Sequence, residues 1–416
     1  MGTDFEEEVD KLRRNHYIDQ LIEKGAFGGK DAGLESIAAG GMHSLLLDEN
    51  GTIWTCGSND EAALGRVTRK VTDPLDKNYG RTVDDLTSIP TTVPVAVQSL
   101  VYDGFRTVRI AAGDSVSAAI DAHGQLRIWG TFRAASGVIG ISKGTLYQYH
   151  PSPIPELGAH KFVSAAAGNN HLVLLTTHGE VYTLGVGEVG QLGRRVIERR
   201  RISGTVPEKV VLGSRKRKAV VVGAGGDHSF AVDDQGNVWG WGLNSLGQTG
   251  TGKRSGNADL IVQLPKIVIG LSKADLGGAT VVEIAGGSFH TLFLTSDGRV
   301  YACGKSDEGE LGIAYDDRAF VDRDYPNCLP HPELISFPDA DDPVVHVSCG
   351  THSNMAVTQA GALYAWGRQV CSELGLGHDR DVHTPAVVVR REGGSWSAVL
   401  PSCGGQHSLV LLRKKN

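Results

Sequence analysis

Three adjacent pairs, His43-Ser44, His228-Ser229 and His407-Ser408, offer the residue types of a base and a nucleophile. Nucleophilic catalysis needs the base within hydrogen-bond reach of the hydroxyl and a third group to orient it. Here the pair returns at corresponding places along the chain, which points to His and Ser holding hairpins by hydrogen bonds, with some copies exposed. Gly185-Val-Gly-Glu-Val-Gly190 has the spacing of a dinucleotide fingerprint. That fingerprint works only between a strand and a helix, and this copy closes a repeat. Gly25-Ala-Phe-Gly-Gly-Lys30-Asp31 has the look of a phosphate loop. It is one residue short and carries Asp31 where Ser or Thr would bind magnesium. Asn50-Gly-Thr52 matches a glycosylation acceptor but occupies a hairpin turn. The six cysteines form no Cys-x-x-Cys pair and read as small buried apolar groups in a reducing compartment. With no convincing paired carboxylates either, the expectation is a protein without covalent chemistry, cofactor or metal.

The elements that carry these residues come from one recurring phrase. It reads Ile37-Ala-Ala-Gly-Gly-Met-His43, then Ile110-Ala-Ala-Gly-Asp-Ser-Val116, then Ala165-Ala-Ala-Gly-Asn-Asn-His171. It returns as Val222-Gly-Ala-Gly-Gly-Asp-His228, Ile284-Ala-Gly-Gly-Ser-Phe-His290, Val347-Ser-Cys-Gly-Thr-His-Ser353 and Pro401-Ser-Cys-Gly-Gly-Gln-His407. The shared glycines, from Gly40 to Gly404, are spaced 73, 55, 57, 62, 63 and 54 residues apart. Recurrence at roughly 50–60 residues signals a repeat array. After each phrase come two short apolar runs around a turn ending in Gly, as in Ser229-Phe-Ala-Val232, Asp233-Asp-Gln-Gly236 and Asn237-Val-Trp-Gly-Trp-Gly242. That is a β-hairpin, with Gly supplying positive φ.

Gly is 55 of 416 residues, about twice the usual ~7%. Trp54, Trp129, Trp239, Trp241 and Trp366 all fall in the second hairpin strand, as core or inter-blade packing residues. A four-stranded blade cannot bury both faces alone, and a ring of blades solves this. The expectation is an all-β fold: a seven-bladed β-propeller, residues 37–416, with the last blade incomplete. Residues 1–36 form a leader with a short helix within Phe5–Leu21, and 67–94 a long insertion. The closing phrase is followed only by Ser408-Leu-Val-Leu-Leu412, and the leader holds no Trp-Gly half-repeat to complete it. Net charge is −6, so no global polycation is available for nucleic acid, and no apolar run reaches bilayer length.

The linked order Ala-Gly-x-x-His-Ser, Asp-x-x-Gly-x-Val-Tyr-x-Trp-Gly and Gly-x-Leu-Gly resembles the regulator of chromosome condensation family. In the second repeat, Thr131-Phe-Arg-Ala-Ala-Ser-Gly-Val-Ile-Gly140 replaces the short Gly-x-Leu-Gly. This segment is similar to the wedge of the family's chromatin-bound exchange factor for the GTPase Ran. The resemblance implies that Thr131, Phe132, Arg133, Ala134, Ala135, Ser136, Gly137 and Val138 promote exchange. It implies the same for Asp114, and for Arg194 in Gln191-Leu-Gly-Arg194, which would face the GTPase. It also carries departures. Asn170 stands where the family has an acidic residue, Phe289 where it often has a functional His beside His290, and Val116 where the repeat has His.

The implied function is nucleotide exchange on Ran, with histones or nucleosomes as further partners and no membrane or small-molecule substrate. The alternative is a non-exchanging propeller adaptor, which Asn170 and Phe289 favour. Ser214-Arg-Lys-Arg-Lys218 is a candidate nuclear import signal, giving a nuclear, chromatin-associated protein, or a cytoplasmic one without that signal. Glu6-Glu-Glu8 has the wrong sign for phosphate contact.

Overall fold

The computed structural model describes residues 9–29, 32–68, 71–72, 82–83, 93–252, 260–321 and 325–415. Most of the 67–94 insertion, residues 1–8, and Lys30 and Asp31 of the phosphate-loop motif lie outside the described residues. Six four-stranded antiparallel sheets follow one another, each built in chain order with its four strands side by side. Blade two is representative: Thr107–Ala112, Val116–Asp121, Leu126–Gly130 and Gln148–Ser152. The seventh phrase yields only a two-stranded sheet, Trp396–Cys403 paired with Ser408–Lys414. Among the described residues, the expected seven blades are therefore six. The phrase marks only a blade's two inner strands, so counting phrases overcounts complete sheets.

All seven phrases nevertheless meet around the axis. A Cβ on Gly113 would lie 2.3 Å from the Gly168 carbonyl oxygen, and one on Gly404 2.4 Å from that of Gly40. Each shared glycine thus faces the next in a closed circle that admits no side chain. The two-stranded sheet is bonded on both sides. Ala39 N donates to Ser402 Oγ in one direction, and Cys403 N donates to Ser348 Oγ in the other.

The hairpins form where expected, for local reasons. Asp233 ends a strand and accepts the backbone amides of Gln235 and Asn237, and Gly236 follows at φ +80°. Asp48 and Asp121 repeat the same turn. Burial pushes the Asp233 carboxyl up, but hydrogen bonds from Trp239, Arg217 and Asn237 outweigh it and lower its pKa. Three indoles, Trp129, Trp241 and Trp366, are fully buried. Trp129 Nε1 reaches the Ala63 carbonyl in blade one at 2.7 Å, so it fastens one blade to the next. The helix is His16–Glu23, beginning later than the sequence suggested, with Asn15 capping Tyr17 N and Ile18 N. Before it, Asp10 accepts from Gly377 N and lays the leader against the edge of blade six.

The His-Ser pairs are structural, but they bind between blades. His43 Nε2 meets Ser117 Oγ of blade two at 2.9 Å, while Ser44 Oγ meets His407 Nε2 of the two-stranded sheet. His171 meets Ser229, His228 meets Thr291 and His290 meets Asn354, at 2.7–2.8 Å. Ser117, Ser229 and Thr291 each donate their one hydroxyl proton to a loop carbonyl, and Asn354 donates through its amide. His43, His171, His228 and His290 therefore each donate through Nε2, and burial lowers their pKa and keeps them neutral. At His171, His228 and His290 the Nδ1 atom finds no hydrogen-bond partner. A base so placed has no proton to take from its hydroxyl, which removes the nucleophile reading.

Candidate functional site

Antiparallel strands alternate direction, so the loop joining strands one and two of a blade shares a face with the connection joining strands three and four. A repeated bond ties them: Thr131 N to Ser115 O, Val186 N to Asn170 O and Leu243 N to Asp227 O. Asp114, the 131–140 segment and the Arg194 connection therefore open on one face of the ring.

The 131–140 segment projects from this face as a hairpin, Arg133–Ala134 paired with Gly137–Val138. Its root is fixed. Thr131 donates to the Leu146 carbonyl at 2.7 Å, Phe132 is fully buried in the core between blades two and three, and Ile139 N donates to Phe132 O. Of the eight residues expected to promote exchange, Thr131 and Phe132 are thus anchors without exposed surface. Arg133, Ala135 and Ser136 are exposed, with Ala134, Gly137 and Val138 half-buried. Arg133 pairs with Glu61 of blade one.

Asp114 is exposed beside the hairpin. Desolvation by the surrounding loops raises its pKa, and Arg133 opposes the shift. Asp227 lies close by in blade four. Its pKa is raised by burial, then by the charges of Asp114 and Glu188, against a hydrogen bond from Gln191. Sequence reasoning missed Asp227, although its signal was present: it fills in the fourth phrase the place that Asn170 fills in the third. Asn170 itself does not stand idle, because its Oδ1 accepts from Arg133 N at 2.8 Å. His290 is a buried link between blades, Phe289 is half-buried, and Val116 is fully buried, so at this position blade two contributes no histidine to its junction with blade three.

Arg194, which the resemblance implied would face the GTPase, is drawn into its own blade in the lone chain. It is 9% exposed. Its Nη2 donates to the carbonyls of Gly204 at 3.1 Å and Val206 at 2.8 Å, and its Nη1 pairs with Glu208 at 3.2 Å. Burial lowers its pKa, with Glu208 opposing. The guanidinium clamps the connection between strands three and four of its own blade.

The remaining motifs are placed as follows. Gly185–Gly190 leaves a strand and enters a loop; no helix starts at it, and the next one is the short 3-10 helix Glu198–Thr205. Asn50 Nδ2 donates to the Phe27 carbonyl inside its turn. All six cysteines are free thiols. Arg217 of the basic run stacks on Trp239 and pairs with Asp233, while Arg215, Lys216 and Lys218 are exposed. Among the described residues, Glu308, Glu310 and His352 are close enough to share a cation, but Lys305 Nζ already sits 2.9 Å from Glu310 Oε1. No described helix is long and apolar enough to cross a membrane.

Comparison with known proteins decides the family. A profile described as RCC1-like domain matches residues 3–410. This chain belongs to the RCC1-like domain family. Protein pim1 of Schizosaccharomyces pombe is 36% identical over 413 residues, covering 97% of this chain and 71% of that protein. Guanine nucleotide exchange factor SRM1 of Saccharomyces cerevisiae is 30% identical, covering 91% of this chain and 79% of that one. The crystal structure of Prp20p from Saccharomyces cerevisiae, described with its binding to Gsp1p and histones, superposes with a TM-score of 0.82 at 29% identity. It covers 99% of this chain and 87% of Prp20p.

Within this RCC1-like domain, the site is a projecting hairpin with a firm root, flanked by Asp114 and Asp227 and braced from both neighbouring blades. What it offers is a shaped, charged surface.

Proposed function

We propose that this protein is a guanine-nucleotide exchange factor for the small GTPase Ran, acting in the nucleus on chromatin. The observation that carries the reading is the Arg133–Val138 hairpin, which projects beside Asp114 from a buried root. Support comes from the relatives: one bears the name of a guanine nucleotide exchange factor, and Prp20p is described with Gsp1p and histones.

A GTPase holds its nucleotide's phosphates through loop amides, a lysine and magnesium. A rigid wedge shifts that loop, and carboxylates such as Asp114 and Asp227 compete for the cationic groups that the phosphates leave. Exchange follows from linkage. A protein that binds nucleotide-free GTPase more tightly than the loaded form weakens nucleotide binding by the same factor. Neither GDP nor GTP is preferred, so direction comes from the nucleotide in excess. Chromatin contact falls to surfaces other than the wedge face, and nuclear entry to the exposed Arg215, Lys216 and Lys218.

The reading predicts a stable complex with nucleotide-free Ran. After magnesium is chelated and nucleotide removed, the two proteins should co-elute in gel filtration, and either GDP or GTP should dissolve the complex. Co-elution that persists unchanged in excess nucleotide would point to an adaptor instead.

A further inference from the structure

The hairpin is short, with two paired residues in each strand, and a two-stranded ribbon is marginally stable in water. On one side it faces a cavity of about 740 Å³ between it and blades three and four, lined by Ala134, Ala135, Ile139, Val186, Glu188 and Leu264. Packing alone does not hold the hairpin in place there.

Its edge and turn carry the support. Arg133 N donates to Asn170 Oδ1 at 2.8 Å, and Ala135 N donates to Glu188 Oε2 at 3.1 Å. Arg133 lies in the strand and Ala135 in the turn, so two side chains of blade three accept one amide at the hairpin's edge and one at its turn. Both acceptors are themselves fixed. Asn170 O accepts from Val186 N at 2.8 Å. Val189, next to Glu188, donates to the buried Gln191 Oε1 at 3.0 Å, and Gln191 Nε2 reaches Asp227 Oδ1. Neither acceptor was singled out for this role by its sequence. Asn170 looked like a lost charge, and Glu188 sat inside the Gly-x-Gly-x-x-Gly decoy.

We propose that Asn170 and Glu188 are positioning residues for exchange: they accept one edge amide and one turn amide of the wedge and hold it in the geometry that meets the GTPase. This inference rests on the exchange reading above. A wedge held in advance does not spend binding energy on ordering itself at each encounter. The requirement at position 170 is then an acceptor, not a charge, which accounts for an amide serving where the resembling family has an acid.

The test compares two double variants. Asn170→Asp with Glu188→Gln keeps both acceptors, and Asn170→Leu with Glu188→Met removes both at similar volume. Deuterium uptake over residues 131–140, read on the protein alone, should rise in the Leu/Met variant and stay at the wild-type level in the Asp/Gln variant. Catalysed GDP release from Ran should fall about tenfold in kcat/KM for the Leu/Met variant only. The melting temperature and the uptake of the blade-two core strands should be the same for all, which separates positioning from global damage. Unchanged wedge uptake in the Leu/Met variant overturns the brace. Raised uptake with unchanged kcat/KM overturns its part in exchange. Because uptake needs no GTPase, the brace stands or falls even where wild-type protein releases no GDP, the outcome that would sink the exchange reading itself.

Discussion

Replacing Arg133–Val138 with a short Gly-Ser linker is expected to lower the rate of GDP release from Ran by at least ~100-fold, the scale of a strong coupling free energy. The fold should survive. Arg133 and Val138 are direct partners across the hairpin, so a short linker spans the gap. Thr131 and Phe132, which anchor the segment, are retained with their buried contacts. The replacement removes the exposed turn at Ala135 and Ser136, the Arg133–Glu61 pair, and both amides that blade three accepts. Circular dichroism and melting should match the parent while fluorescent-GDP release falls toward the intrinsic rate of Ran. A variant that keeps full activity would place exchange elsewhere on the ring.

The second large effect is on stability. Acidification from pH 7.5 to 5.5 should destabilise the ring severely. Burial, the largest cause, lowers the pKa of His43, His171 and His228 to about 3 and that of His290 to about 4. The unfolded value is near 6.5. A histidine depressed on folding contributes its stability above the unfolded pKa and loses it as pH falls toward the folded one. Here that window runs from about 6.5 down to about 3. Each such group loses about 1.4 kcal/mol per pH unit inside the window, so four together lose ~5 kcal/mol per unit. Ordinary domain stability is only about 5–15 kcal/mol. His346, raised first by its hydrogen bond to Glu283, runs the other way but is one half-exposed group against four buried ones. Urea midpoints at the two pH values read the loss. Substituting His228→Gln, an amide that does not titrate, should remove about a quarter of the dependence while lowering stability at pH 7.5. Equal midpoints at pH 7.5 and 5.5 would refute the assignment of these histidines as neutral links between blades.

The sequence made the hairpins and the ring legible because turn chemistry and the glycine phrase are local and repeat. It did not make the links legible. His43 and Ser44 are neighbours in sequence, but successive strand residues point to opposite faces. One therefore reaches blade two and the other the two-stranded sheet. The blade count failed for a similar reason: the phrase marks inner strands, and the outer strands carry no shared signature. The burial of Arg194 was not legible because its loop returns to it through Gly204 and Val206, a closure that no spacing reveals. At the wedge, its existence was visible as a break in the pattern. Its supports, Asn170 and Glu188, act on backbone amides and leave no mark in residue type.

The measurement that bears most directly on the account is the release of a fluorescent GDP from Ran in excess unlabelled nucleotide. Catalytic amounts of this protein should accelerate release strongly, and equally whether GDP or GTP is the competitor. Release at the intrinsic rate of Ran, with intact folded protein present, would contradict the exchange reading.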